Sequence, residues 1–445
     1  KRLRKEANYV KINGVSITDL VDMPISKVLK FFKEIKLDKV SKVKSERLLI
    51  EIVSRLEFIT KVGLEYLTLN RKSNTLSGGE TQRINLATSL GSSLVGSIYV
   101  LDEPSVGLHP EDTKKLIEIL VNLKNLGNTV IVVEHDEDII NAADHIIDLG
   151  PGAGSMGGTI VGQGNLNKIV KTESLTAKYL TGKMEIPVPE SRKKIINKIT
   201  LTGCRENNLK NISVDFPLEM LVCITGISGS GKTTLVKKIL YPALQRLKGN
   251  FKEKPGQFSE LKGDIDLINS IEYIDQNPIG MSSRSNPATY LKVYDDIRNL
   301  FAVQNTSKQF SFKPKHFSFN VDGGRCDNCK GEGTIKIEMQ FMSDIVLPCE
   351  TCKGKRFKKD VLKVKFQNKN IDDILNMTIE DASNFFIEHN QKKIATKLKA
   401  LLDVGMGYVK LGQSSSTLSG GEAQRIKLAS FLLKGNNKEN TLFIF

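Results

Sequence analysis

Apolar and polar positions fall in blocks along this chain, and three of the apolar blocks, 98–101, 129–133 and 221–225, are short and rich in β-branched residues. Each is bounded by polar or glycine-rich positions and predicts a buried strand. The third leads into a glycine-rich turn and then an apolar helical stretch from Leu235. Two further helical patterns each open on Leu-Ser-Gly-Gly-Glu, at 76–80 and 418–422. That coincidence belongs to a longer repeat. Residues 10–32 align without a gap on 364–386 at an offset of 354, with Val10, Lys11, Ile17, Asp19, Met23, Ile25, Phe31 and Phe32 identical. Residues 62–90 align on 404–432 at an offset of 342, so the second copy is twelve residues shorter between the blocks. A period near 350 is far too long for a solenoid and describes two large modules in tandem.

The turn after the third run is Gly226, Ile227, Ser228, Gly229, Ser230, Gly231, Lys232 and Thr233, followed by Thr234. This is G-x-x-x-x-G-K-[ST] in the strand, loop and helix setting it requires. Glycines let backbone N–H groups turn inward around phosphate oxygens, and a helix N-terminus adds positive potential. Lys232 would reach the β- and γ-phosphates of ATP, and the Thr233 hydroxyl would hold Mg²⁺. The competing reading is a flexible glycine turn before a helix. In the repeated motif, Ser77 with Glu80 and Ser419 with Glu422 fit the capping box that starts a helix. Capping alone does not explain the paired glycines, Gly78 with Gly79 and Gly420 with Gly421. Free N–H groups beside a serine at a helix N-terminus also make a phosphate-binding surface.

Four of the six cysteines form two C-x-x-C pairs, Cys326 with Cys329 and Cys349 with Cys352, separated by 19 residues. That spacing fits a four-thiolate zinc site, with a redox pair or a chaperone-like cysteine module as alternatives. Cys204 and Cys223 read as core residues. The net charge of +15 suits a polyanion such as nucleic acid, though a solvated basic surface would give the same number. Lys313, Lys315, His316, Arg325, Lys330, Lys353, Lys355 and Arg356 lie near the cysteines with Phe312, Phe317 and Phe319 interleaved, and Arg284 upstream is a further candidate DNA contact. Such a mixture suits DNA contact, or else a basic face over buried phenylalanines. There is no stretch of roughly 20 apolar residues to span a membrane and no visible secretion signal, so a bacterial cytoplasmic location is expected.

Leu-Ser-Gly-Gly-Glu resembles the signature of the ABC ATPase family. The resemblance implies that this motif closes over ATP held by the opposite nucleotide-binding domain. It makes 98–101 the Walker B strand, Asp102 a Mg²⁺ ligand through water, and Glu103 the residue that orients or deprotonates the attacking water. Residues 105–109 match the D-loop, His135 the switch histidine and Gln276 the Q-loop glutamine. With head-to-tail closure, Lys232 faces Ser77. The expected strand partner sequence ends at Phe445, where the repeat predicts Asp-Glu-Pro next, and the first copy's own Walker A lies before Lys1. Neither ATP site is then complete, and these residues alone are expected to hydrolyse ATP poorly or not at all.

Within that family, 205–211, 275–280, 284–290, 317–320, 323–326 and 148–154 are similar to the UvrA family of DNA-damage sensors. Met281, Ser282 and Ser283 depart from the expected pattern. The separation of 185 positions between Thr233 and Leu418 leaves room for an insertion that carries the zinc motif. The resemblance implies an α/β, tandem-duplicated ABC-type P-loop ATPase with an α+β zinc-bearing insertion. It also implies a homodimer that binds damaged double-stranded DNA and loads UvrB under the control of ATP. The expected segments are 1–60, the end of the first insertion; 61–195, the first signature and Walker B lobe; 196–245, the second Walker A lobe; 246–395, the Q-loop and zinc insertion; and 396–445, the second signature helix. A related ATPase with non-repair or drug-resistance work, a transporter ATPase and a non-enzymatic zinc scaffold are the rivals.

Overall fold

In a computed structural model, which describes residues 3–445 apart from 74–75, 77, 91–94, 252, 276, 281, 283, 340–343 and 435–439, the duplication is visible bond by bond. Helix Ile25–Lys33 in the first copy matches Ile379–Glu388 in the second. The N–H of Ile25 donates to the Leu67 carbonyl at 2.8 Å, and that of Ile379 to the Val409 carbonyl at 2.8 Å. The bridge of Pro24 to Thr68 recurs as Thr378 to Lys410. Each of these partners is related by the two sequence offsets. The length difference falls in the next helix, which runs 23 residues over Lys39–Lys61 but 12 over Lys392–Asp403.

The chain divides into two compact units, one of Lys1–Pro151, Thr159–Arg246 and Phe251–Gly263, the other of Gly152–Gly158, Leu247–Asn250 and Asp264–Phe445. The first is built on a core that includes Val28, Leu56, Leu64, Leu67, Leu116 and Leu123. It holds the parallel pair Ile98–Asp102 with Thr129–Val133, and a three-stranded antiparallel sheet ordered Ile212–Pro217, Lys198–Cys204, Glu260–Gly263. The second unit buries Phe301, Phe317, Phe319, Phe357 and Phe386 completely or nearly so. It pairs Ser270–Tyr273 in parallel with Thr441–Ile444 and carries the hairpin of Thr334–Ile337 and Ile345–Pro348.

Three sequence expectations change. Residues 221–225 are not a strand, and Leu221, Val222 and Ile224 are exposed. An apolar β-branched run becomes a strand only when neighbours supply ladder partners, and no strand pairs with it among the described residues. Cys223, in the same run, is exposed and not a core residue, whereas Cys204 is buried. Segments 98–102 and 129–133 do form strands, but Ile98, Val100, Ile131 and Val133 face outward, so each is covered on one side only. No helix among the described residues is long and apolar enough to cross a membrane.

Candidate ATP site and metal centre

The phosphate loop is shaped by glycines at positive φ, namely Gly226, Gly229 and Gly231. Beneath it lies the segment 205–211. The Asn208 side chain donates to the Gly229 carbonyl at 2.9 Å, Asn207 donates to the Thr234 hydroxyl at 3.2 Å, and a side chain at Gly231 would strike Leu209. These braces had no role in the sequence reading beyond their likeness to a family string. Lys232 donates to the Gly226 and Ile227 carbonyls at 2.5 and 3.0 Å. Helical turns begin immediately beyond it, and Thr234–Leu240 is wound as a wide π-type turn.

The loop belongs to the second copy, yet its neighbours come from the first. The N–H of Ser228 donates to Asp112 Oδ2 at 3.2 Å. A Cβ on Gly229 would lie 2.9 Å from the Tyr66 ring. The Tyr66 hydroxyl donates in turn to Glu80, in the first signature helix Gly78–Leu90, at 2.6 Å. Ser77 lies outside the described residues, as does Gln276.

The Walker B end is organised around a carboxylate that sequence reasoning missed. Glu134 accepts the N–H of Ser105 at 2.8 Å, of His135 at 2.9 Å and of Asp136 at 3.2 Å. Burial pushes its pKa up, but these bonds, that from Ser105 foremost, hold it below the ordinary glutamate value. It thereby pins the D-loop segment to the switch segment. Nothing in the spacing announces it, because the Ser105 partner is 29 residues away. Glu103 takes a left-handed φ of 45° and donates its N–H to the Val133 carbonyl. This sets its carboxylate 3.9 Å from His135 Nδ1. Asp102 ends the strand beside it, and His109 caps the following helix, Pro110–Asn125.

In the second copy the signature motif is seen whole. Ser419 Oγ accepts the N–H of Glu422 at 3.2 Å, and Glu422 accepts the N–H of Ser419 at 2.8 Å, a complete capping box. A side chain at Gly421 would meet nothing within 4 Å, so an anion can approach this helix end closely. Gly420 opens the helix Gly420–Lys434.

The four paired cysteines converge, with their sulfurs all within 4.8 Å of one another. Cys326 and Cys349 Sγ are 4.0 Å apart, and Cys329 and Cys352 Sγ 3.6 Å. Four thiolates about 2.3 Å from a tetrahedral Zn²⁺ would stand about 3.8 Å from one another, so the cage has the right size. Lys330 and Gly331, and likewise Lys353 and Gly354, have positive φ, which folds each knuckle back on its sulfurs. The Gly333 N–H reaches Cys329 Sγ at 3.3 Å. Backbone N–H donation from Cys352 lowers the Cys349 thiol to about 6, while burial pushes Cys352 up to about 12.

The basic residues divide. Lys313, Lys315, Lys330, Lys353 and Lys355 are exposed. Arg356 instead turns inward, donates to the Gly412 carbonyl at 3.0 Å and lies over Phe319. Arg325 is occupied by Asp322 and by the carbonyls of Asn320 and Lys330, and Arg284 lies 3.8 Å from Glu332. Phe317 and Phe319 are wholly buried and serve the core, whereas Phe312 is half-buried.

A phosphate loop, a capped glycine-led helix and a Walker B strand set on a mixed α/β framework define the class: this is an ABC-type P-loop ATPase fold. A family model described as "AAA domain, putative AbiEii toxin, Type IV TA system" matches residues 68–141. The chain is 53% identical over 98% of its length to UvrABC system protein A of Staphylococcus epidermidis, and 54% identical over 100% to that of Clostridium tetani. It covers 46% and 47% of those proteins, so it spans about half the length of the curated relatives it matches. The crystal structure of UvrA2 from Deinococcus radiodurans matches all of the chain and 55% of its own, with a TM-score of 0.92 and 40% identity. The chain belongs to the UvrA family.

Proposed function

We propose that this chain is the part of a bacterial, cytoplasmic DNA-damage sensor in which the second phosphate loop meets the first signature lobe. ATP with Mg²⁺ sits on Lys232, Thr233 and the loop N–H groups. Glu103, Asp102 and His135 serve hydrolysis, and the signature ends at Ser77 and Ser419 close over γ-phosphate. Zn²⁺ held by Cys326, Cys329, Cys349 and Cys352 braces the surface around Lys313, Lys315, Lys330, Lys353 and Lys355, which offers phosphate contacts to double-stranded DNA. Homodimerisation and UvrB loading belong to the same reading, as does the five-segment division of the chain. The observation that carries it is the likeness to UvrABC system protein A along essentially the whole chain.

The test uses the full-length protein. Damaged DNA should bind more tightly than undamaged DNA in an ATP-dependent way, and Lys232→Ala should abolish that dependence. Equal affinity for both DNAs with and without ATP would remove the damage-sensing role. Failure to retain UvrB on damaged DNA, with discrimination intact, would instead favour a related ATPase doing other DNA work.

A further inference from the structure

Building on the ATP site proposed above, we infer that Asp112 is a built-in stand-in for phosphate, whose carboxylate holds a phosphate-loop N–H until nucleotide displaces it. The displacement reports ATP arrival on the second copy's loop to the first copy's Walker B segment.

The geometry has three parts. First, the Ser228 N–H, one of the loop donors, is directed at Asp112 Oδ2 at 3.2 Å. Loop N–H groups are the donors that phosphate oxygens use. A carboxylate and a phosphate oxygen compete for such a donor, and two anions this close repel. Second, Asp112 is only 9% exposed, so its charge is little screened by solvent. Although burial works against its ionisation, the Ser228 bond and the nearby Arg83 and Lys115 charges hold its pKa below the ordinary aspartate value. It is therefore an anion at working pH. Third, Asp112 lies in the first turn of the helix Pro110–Asn125, which His109 caps and which continues directly from Glu103 and the 105–109 segment. A movement of this turn is thus transmitted along one short stretch of chain to the Walker B glutamate. The Tyr66 ring against Gly229, with its hydroxyl on Glu80, gives the loop a parallel connection to the first signature helix.

The test is equilibrium binding of Mg-ATP to the full-length protein, comparing wild type with Asp112→Asn, Asp112→Ser and Lys232→Ala. Neutralising the stand-in should tighten ATP at the Lys232-dependent site roughly fivefold, the difference between a charge-assisted and a neutral hydrogen bond, while kcat falls because the report is lost. A merely structural Asp112 would weaken binding or leave it alone when replaced. Two neutral variants are used so that a folding failure of one, seen by circular dichroism, leaves the other to decide. Unchanged or weaker ATP binding in folded Asp112 variants, with Lys232→Ala still defective, overturns this inference alone. Unimpaired ATP binding by Lys232→Ala overturns the ATP-site assignment itself.

Discussion

The two copies of the signature module share their anchors and differ in their attachments. In the first, Tyr66 holds Glu80 at 2.6 Å and Arg83 reaches the Val62 carbonyl at 3.3 Å; in the second, Tyr408 holds Glu422 at 2.7 Å and Arg425 reaches the Gly405 carbonyl at 3.4 Å. The same tyrosine and arginine therefore fix the start of the helix against the preceding turn in both. The attachments have diverged. Lys427 on the second signature helix grips the Asp275 carboxylate and donates to the carbonyls of Asp275 at 3.0 Å and Asn277 at 2.8 Å. These residues flank Gln276 in the sequence. The first copy has Asn85 at the matching position, with a side chain two bonds shorter and no charge. Duplication kept the geometry that presents the helix end, and left free the contacts through which each copy is wired to its surroundings.

The largest effect should come from the feature that only the second copy carries in this chain, the cysteine cage. Cys349→Ser should abolish stoichiometric zinc and make the 312–360 region sensitive to limited proteolysis, whereas the first module's helices should be untouched. Zinc content by atomic absorption, with mapping of the cut sites, checks both statements. The pH dependence has a definite sign. Metal binding requires thiolates, so protons compete, and zinc affinity should fall as pH falls. Metal retained in full by the variant would exclude Cys349 as a ligand.

The second effect concerns the Lys427 tether. Lys427→Met leaves the partly buried Asp275 without its cation and should destabilise the protein by about 2 kcal/mol, below the 3–5 kcal/mol of a fully buried pair because some solvent reaches the carboxylate. Burial raises the Asp275 pKa, but the Lys427 hydrogen bond and charge outweigh it and hold the carboxyl below the ordinary aspartate range. Stabilisation of this kind is present above the unfolded carboxylate pKa and fades as pH drops through the lower folded one. Wild type should thus lose this increment only in acid, and the variant should lack it throughout. Chemical denaturation at neutral and acid pH measures the difference. Coincident pH profiles for the two proteins would show that the tether contributes nothing.

The cage and the tether also mark the boundary of what the sequence discloses. Motif chemistry is local and therefore legible: C-x-x-C spacing, the glycine loop and Ser-x-x-Glu each place their own backbone. Partners that meet across long separations are not. Nothing about Asp112 announced that it would touch Ser228, 116 positions away, and Asn208 looked like any other residue of a family string until it appeared beneath Gly229. The reading failed most plainly at 221–225, where composition promised a strand but strand formation depends on neighbours elsewhere in the chain. It failed similarly at Arg356, since a basic residue in a basic stretch carries no mark to say whether its guanidinium turns out to solvent or in toward Gly412.

A smaller effect tests how far the shared anchors are equivalent. Tyr66→Phe and Tyr408→Phe each remove a hydroxyl bond to a glutamate while leaving the ring, Tyr408→Phe also giving up the bond its hydroxyl accepts from Arg425 at 3.3 Å, and each should lower stability by about 1–1.5 kcal/mol. Similar losses in denaturant unfolding would mean that the anchor works the same way in both copies. A loss confined to one copy would mean that the other has transferred that task to different contacts.

The smallest effect on stability should be the most informative about chemistry. Gly421→Ala adds a methyl group at the second signature helix end, where nothing lies within 4 Å of it. Alanine favours helix over glycine by up to about 1 kcal/mol in a helix interior, so near the first turn the fold should be unchanged or slightly stabilised. If the glycine pair exists only to start a helix, ATPase activity of the full-length protein should be unchanged as well. If it exists to let an anion reach the N–H groups, the methyl group fills the approach, and turnover should fall at least tenfold while thermal stability holds. The capping box at Ser419 and Glu422 is intact under either outcome, so the comparison separates the helix-starting role of this motif from its phosphate-facing one within a single substitution.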